Sequence, residues 1–340
     1  MKKIKLILAA LALTLTLTGC TKKEQTALPT KDWFTNFDAA KKQAQKKDKD
    51  IFLVFSGDDW DQTSADFKAA VLGTKEFSDA FAKDNVFVNI DFSQVEYAKT
   101  DIDEKASKKQ KKEAAKITAA YEVKEDLART YALQQYPSVY ILSKEGYVLA
   151  NISSLSSSAA PEDFISAFED YKEEITNNRI LVSQVRASSG VEKAKAISEL
   201  YETTASEYLG PLTDLVREVP VLDPQNETGT VGNMILVVSY FDAANLMRSN
   251  PAEASRVFET TAESKFLDDS QKANAWYMAA YILAAGGVND FDRIEALLQK
   301  AYDTEPDGEH AADILNAINA AHQMKEQQAA SEDTPTSSEK

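Results

Sequence analysis

The sequence predicts a mixed α/β domain, with a central sheet flanked by helices, followed by an all-α domain. Three observations carry this. Short, almost wholly apolar runs at Ile51–Phe55, Val86–Phe92 and Ser138–Leu142 alternate with segments of helical spacing. After about Arg186 the strand-like runs stop and only helical patterns joined by short breaks remain. With 340 residues and 44% hydrophobic content, the chain can bury the cores of about two domains.

The elements follow in order. Asp32 to Lys47 places Trp33, Phe34, Phe37, Ala40 and Ala44 at helical spacing and predicts a helix. Ile51–Phe55 is the first strand, its unbroken apolar character marking burial on both faces. Asp61 to Phe81 returns to helical spacing through Phe67, Val71, Phe77 and Phe81, and Val86–Phe92 is the second strand. Ser93 to Thr130 is rich in Lys and Ala and predicts a largely solvated helical insert. The third strand, Ser138–Leu142, meets a fourth at Tyr147–Ile152 across the turn Lys144-Glu145-Gly146. Pro161 to Ile180 is a closing helix, with Pro161 near its first turn. The first domain then spans residues 32–182 with its insert at 93–130, the helical domain spans 186–325, and a polar tail at 326–340 is expected to be disordered.

The N-terminus is expected to lie outside the fold. Lys2, Lys3 and Lys5 precede a mostly apolar run, Leu6 to Thr18, of secretory-signal length and too short to span a bilayer comfortably. It ends in Leu17-Thr18-Gly19-Cys20, which resembles the lipobox of bacterial lipoproteins. The resemblance implies removal of residues 1–19, acylation of Cys20 with palmitate-type chains, a polar tether at 20–31, and an extracytoplasmic protein anchored to the cell membrane or outer membrane. The alternatives are an ordinary signal peptide with a chance cysteine, or a cysteine buried in a core.

Composition excludes several functions. A formal charge of −16 argues against nucleic acid, whose phosphates need a basic surface. One cysteine rules out an intramolecular dithiol centre or a Cys-rich metal site, and the two histidines, His310 and His322, lie too far apart to share a metal. No cofactor is expected. The lysines of the insert (Lys105, Lys108, Lys109, Lys111, Lys112, Lys116) are interleaved with Glu104, Glu113, Glu122 and Glu125, a solvated face more than a lipid or acidic-partner site.

One loop carries a family pattern. After the first strand the chain reads Phe55-Ser56-Gly57-Asp58-Asp59-Trp60-Asp61-Gln62-Thr63-Ser64. This resembles the thioredoxin-like fold, in particular its secreted branch with a Phe-Ser/Thr-Gly-x-x-Trp-Cys-x-x-Cys loop. Gln135-Tyr136-Pro137-Ser138 stands before a strand, where that family carries a cis-proline. The two cysteine positions fall on Asp61 and Ser64. Dithiol chemistry needs a low-pKa thiolate and a second sulfur to resolve the mixed disulfide, which Asp and Ser cannot supply.

Three readings of the altered loop stand. Asp59-Trp60-Asp61-Gln62 has the form of a capping box with Asp59 as N-cap, and Asp59 or Asp61 would complement the helix dipole. Asp58, Asp59 and Asp61 could instead gather a cation, although the spacing fits no standard calcium loop. Or the loop keeps the family's polypeptide groove, floored by Trp60, Tyr136 and Pro137. In the second half, Trp276, Ala280, Gly287, Phe291, Ala301 and Pro306 resemble the tetratricopeptide pattern, with helices at Gln271–Ala285 and Asp290–Asp303; the turn between them, Gly286-Gly287-Val288-Asn289, departs from it by being a residue or two too long. Such arrays bind proteins or peptides on a concave face. The expected function is a non-catalytic protein- or peptide-binding or assembly module of the cell envelope. The alternatives are a thiol-disulfide oxidoreductase-related enzyme of the thioredoxin family, and a structural spacer.

Overall fold

The structure is a computed structural model that describes Leu28 and residues 33–332. The expected signal peptide, Cys20 and the tether apart from Leu28 lie outside the described residues, as does the tail from 333. Among the described residues, no helix is long and apolar enough to cross a membrane.

Five strands form one mixed sheet in the order β1-β3-β2-β4-β5: β1 (Trp33–Phe34), β2 (Asp50–Ser56), β3 (Asn85–Asp91), β4 (Ser138–Leu142) and β5 (Val148–Asn151). β1 and β2 run parallel to β3, while β4 is antiparallel to both β2 and β5. The central strand β2 is buried on both faces, as its run of Ile, Phe, Leu and Val demands. Phe52 and Val54 point to one side, Ile51, Leu53 and Phe55 to the other.

The helices of this half are α1 (Phe37–Lys47), α2 (Gln62–Phe67), α3 (Lys75–Phe81), α4 (Gln94–Tyr97), α5 (Lys108–Thr130), α6 (Pro161–Phe168) and α7 (Lys172–Ala187). The first departs from expectation. Asp32–Lys47 is not one helix: Trp33–Phe34 is an edge strand, and α1 starts after Asn36, whose side chain accepts from the Ala39 amide at 2.9 Å. Trp33 stacks on Phe87 with centroids 5.0 Å apart, so the spacing that resembles a helix comes from a two-residue strand anchoring in the core. The helical stretch from Asp61 to Phe81 is also broken. α2 passes into a π turn, Lys68–Leu72, and stops at Gly73, and Thr74 caps α3 by accepting from the Phe77 amide at 3.2 Å. The predicted closing helix is two, separated by a 3₁₀ turn at Glu169–Tyr171, and α7 continues past Ile180 to Ala187.

Phe52, Phe67, Phe77, Phe81, Phe87 and Phe164 fill the space between the sheet and α2, α3 and α6. Phe164 is fully buried and lies 5.6 Å from both Phe67 and Phe81. This core does not close at residue 182. It runs on through Ile175, Val182 and Val185 of α7, through α8 (Gly190–Thr203), α9 (Thr213–Val216) and α10 (Val219–Leu222), to Val231 and Met234 of α11 (Val231–Met247). A second core begins at Leu236 and holds α12 (Pro251–Ala262), α13 (Asp269–Ala285), α14 (Phe291–Thr304) and α15 (Ala311–Glu332).

From α11 onward each helix packs on the next. Alternate helices begin at Val231, Asp269 and Ala311, a spacing of roughly 40 residues that suits paired-helix units. α15 runs to Glu332, past Glu326 where the disordered tail was expected. Its Ala, Gln and Glu residues are strong helix formers, and they extend a helix already nucleated by packing.

Candidate functional site

The loop between β2 and α2 is built by hydrogen bonds from its own side chains. The Gly57 carbonyl accepts from the Trp60 amide at 3.0 Å and the Asp61 amide at 2.7 Å, closing a tight turn. Asp61 is the N-cap of α2, its Oδ2 accepting from the Ser64 amide at 2.8 Å and the Ser64 hydroxyl at 2.6 Å. The Gly57 amide donates to Ser64 Oγ at 3.1 Å. The buried Ser64 hydroxyl is thus donor and acceptor within the loop and serves structure.

This corrects the expected capping box. Asp59 does not cap α2, and Gln62 does not reach back to it: Gln62 donates to Asp66 at 2.8 Å. Asp59 crosses instead to the start of α4, accepting from Ser93 Oγ at 2.6 Å and from the amides of Gln94 at 2.9 Å and Val95 at 2.8 Å. Burial pushes its pKa up, but these hydrogen bonds outweigh it and hold the carboxyl below its ordinary value. The sequence conceals this because the capped helix lies more than thirty residues downstream.

Asp58 forms an ion pair with Lys68, while its amide donates to Asp91 Oδ1 at 3.0 Å. Asp91 is pushed up to about 6, first by burial and then by the neighbouring Asp58 and Asp59 carboxylates, against the pull of the Asp58 amide and Lys68. Asp58, Asp59 and Asp61 therefore serve three different partners instead of converging. Among the described residues, no group of three or more His, Cys, Asp or Glu side chains is placed to hold a metal ion.

The aromatic side chains do converge. Trp60 Nε1 donates to the Phe92 carbonyl at 2.7 Å, which turns the indole across the loop with 42% of the residue still exposed. Its ring meets Tyr136 edge-on at 5.1 Å, and Tyr136 meets Phe92 at 5.6 Å. The Tyr136–Pro137 peptide bond is cis. Burial holds the Tyr136 phenol protonated, pushed up to about 12, with Glu125 adding to the effect. Phe92, Tyr121 and Lys124 belong to this region although sequence reasoning did not select them: Tyr121 donates to the Ser93 carbonyl and Lys124 to the Asp91 carbonyl at 2.7 Å. The Ala114, Ile117 and Tyr121 face of α5 is buried, so the insert is solvated on one side only and shoulders the loop on the other.

Beside Ser64, the buried Leu28 lines a small space together with Val54, Phe67, Leu72 and Pro137, the polar Ser56 and Asn89, and the Asp58–Lys68 pair. A separate cleft of about 600 Å³ lies at the junction with the helical half, lined by Gln135, Ser138, Tyr140, Asn151, Tyr171 and Tyr208. Asn151 donates to Tyr208 Oη at 2.7 Å across it.

Two family models match parts of the chain. A family model described as "Thioredoxin-like" matches residues 32–143, and one described as "Uncharacterised protein C-terminal domain" matches residues 230–327. An "Uncharacterized protein" of Treponema pallidum (strain Nichols) is 26% identical over 192 residues, 55% of this chain. The match spans 63% of that relative's length. A solved structure named "DsbH Oxidoreductase" is similar over 47% of this chain and 95% of its own, at 16% identity and a TM-score of 0.32. The chain carries a thioredoxin-like N-terminal domain, a mixed sheet flanked by helices, followed by a helical C-terminal domain.

Proposed function

We propose that this chain is a lipid-anchored protein of the cell envelope whose thioredoxin-like domain holds extended polypeptide without exchanging disulfides. The exposed Trp60 ring, set against Tyr136 beside Pro137, carries the reading. It offers an aromatic platform at the end of the sheet, where an extended peptide could lie against a rigid apolar surface. A non-catalytic role is supported by the occupants of the loop. Asp61 and Ser64 are engaged in capping α2, and the one cysteine, Cys20, lies far away in sequence and within a lipobox-like motif. The helical half, with its repeated helix pairs, supplies a second surface for a protein partner.

Two assays test this on the full chain. A reduced, alkylated, unfolded reporter protein should bind with an affinity that falls at least tenfold in Trp60→Ala, and insulin reduction should not exceed the blank. Reporter binding unaffected by Trp60→Ala would sink the groove; a clear insulin rate would favour the redox-related alternative that the family match brings. Anchoring is tested separately: native protein should show acylated mass and detergent-phase partitioning, both lost in Cys20→Ser.

A further inference from the structure

We infer that the seat beside Pro137 is a subsite for a leucine-sized apolar side chain, and that Leu28 of the same chain holds it in the resting protein. This rests on the polypeptide-holding reading above and adds both a ligand preference and an internal competitor. Leu28 belongs to a stretch whose composition is that of a polar tether, yet it is only 8% exposed. It contributes to the core of the thioredoxin-like domain without belonging to any of its strands or helices.

Its surroundings explain the fit. Val54, Phe67, Leu72 and Pro137 are apolar neighbours. The polar groups beside it are already matched: Ser56 Oγ donates to Asn89 Oδ1 at 3.0 Å, Ser64 is bonded to Asp61 and Gly57, and Asp58 is paired with Lys68. The seat therefore rewards an apolar side chain and has few free polar groups to offer a polar one. With Leu28 in place there is no space left for even a water molecule. The seat also lies directly behind Ser64 and Pro137, the two landmarks of the altered loop, so a peptide placing an apolar side chain there must first displace Leu28. Burying a leucine corresponds to roughly a 10- to 100-fold effect on such a competition.

The test compares the full chain with Leu28→Gly, using two probes: a fluorescent peptide copying residues 25–31 and the unfolded reporter. The peptide should bind Leu28→Gly at least tenfold more tightly than the wild type, and a version with Asp in place of its leucine should not bind. Equal peptide binding to both chains would overturn the internal competition while leaving the groove reading intact. Reporter binding without any peptide binding to Leu28→Gly would overturn the leucine subsite. Failure of both probes on both chains would overturn the groove reading and this inference together. Thermal melting checks that Leu28→Gly is folded; should it melt more than about 10 °C low, Leu28→Ala replaces it under the same criteria.

Discussion

A β-carbon on Gly57 would lie 2.3 Å from the Trp60 ring. Gly57 therefore sets where the indole sits, and Gly57→Ala is expected to drive the ring off Tyr136 and break its bond to the Phe92 carbonyl. Overpacking of this kind costs about 1–3 kcal/mol. The check is a red-shifted Trp60 emission, read in a background with the other tryptophans replaced by Phe, accompanied by weaker reporter binding. Asp91 makes a second prediction. Its folded pKa, raised to about 6, lies above the ordinary 3.8, so the native state binds the extra proton between those values. Stability then falls as pH rises through that window, and the penalty is fully present at pH 7. Asp91→Asn keeps an oxygen for the Asp58 amide and removes the buried charge. It should be more stable than wild type by about 1 kcal/mol at pH 7, after allowing for solvent screening, with the gap closing near pH 4. Urea denaturation at the two pH values reads this directly. A constant gap would mean that Asp91 does not titrate as described.

At the scale of elements, the junction of α12 and α13 leaves no room for an added side chain. A β-carbon on Gly286 would stand 2.3 Å from Pro251 Cβ, and Pro251 is the rigid first residue of α12. Gly286→Ala should cost about 1–3 kcal/mol by prying the two helices apart, more than the helix propensity of Ala returns. Thermal unfolding should show the loss, with Trp60 emission unchanged because its ring neighbours Phe92 and Tyr136 pack on a cluster separate from that of α12 and α13. The same elements show what a sequence discloses. β2, β3 and β4 are readable because burial on both faces leaves an almost wholly apolar run. α13 and α14 are readable from their caps and turn residues, Asp268 and Asp290 at the starts and Gly286-Gly287 between them. β1 is not, because two residues carry no period and Trp33, Phe34 and Phe37 imitate a helix. In the altered loop, the sequence discloses Trp60, Tyr136 and Pro137. It conceals the roles of Asp58 and Asp59, since Asp91 and Ser93 reach the loop only through the approach of β3 to β2, whereas the bond of Asp61 to Ser64 is local.

On the scale of the whole molecule, the change from sheet to helices and the change from one core to the other fall at different places. The strands end at Asn151, but the first core is completed only by Val231 and Met234 of α11. α11 then turns Leu236 and Ala243 to the second core, so one helix belongs to both. α7 is fastened to the sheet by Asn178, which donates to the Leu149 carbonyl at 2.7 Å, and by Arg179, whose Nε donates to Asp50 at 3.1 Å. A chain cut after residue 185 would keep these bonds yet bare the apolar side chains that Ala194, Ile197, Leu200, Val216 and Val219 cover. It is expected to aggregate or to melt without cooperativity. A chain cut after Met247 keeps the whole first core and should unfold cooperatively with Trp60 emission like that of the full protein. It should also expose the second-core face of α11, so partial self-association in size-exclusion chromatography is the expected side effect. Circular dichroism melts of the two truncations decide the point. Equal, cooperative unfolding of both would mean that the sheet domain is complete at its last strand helices, and that the helices between residues 190 and 234 are held to it without supporting it.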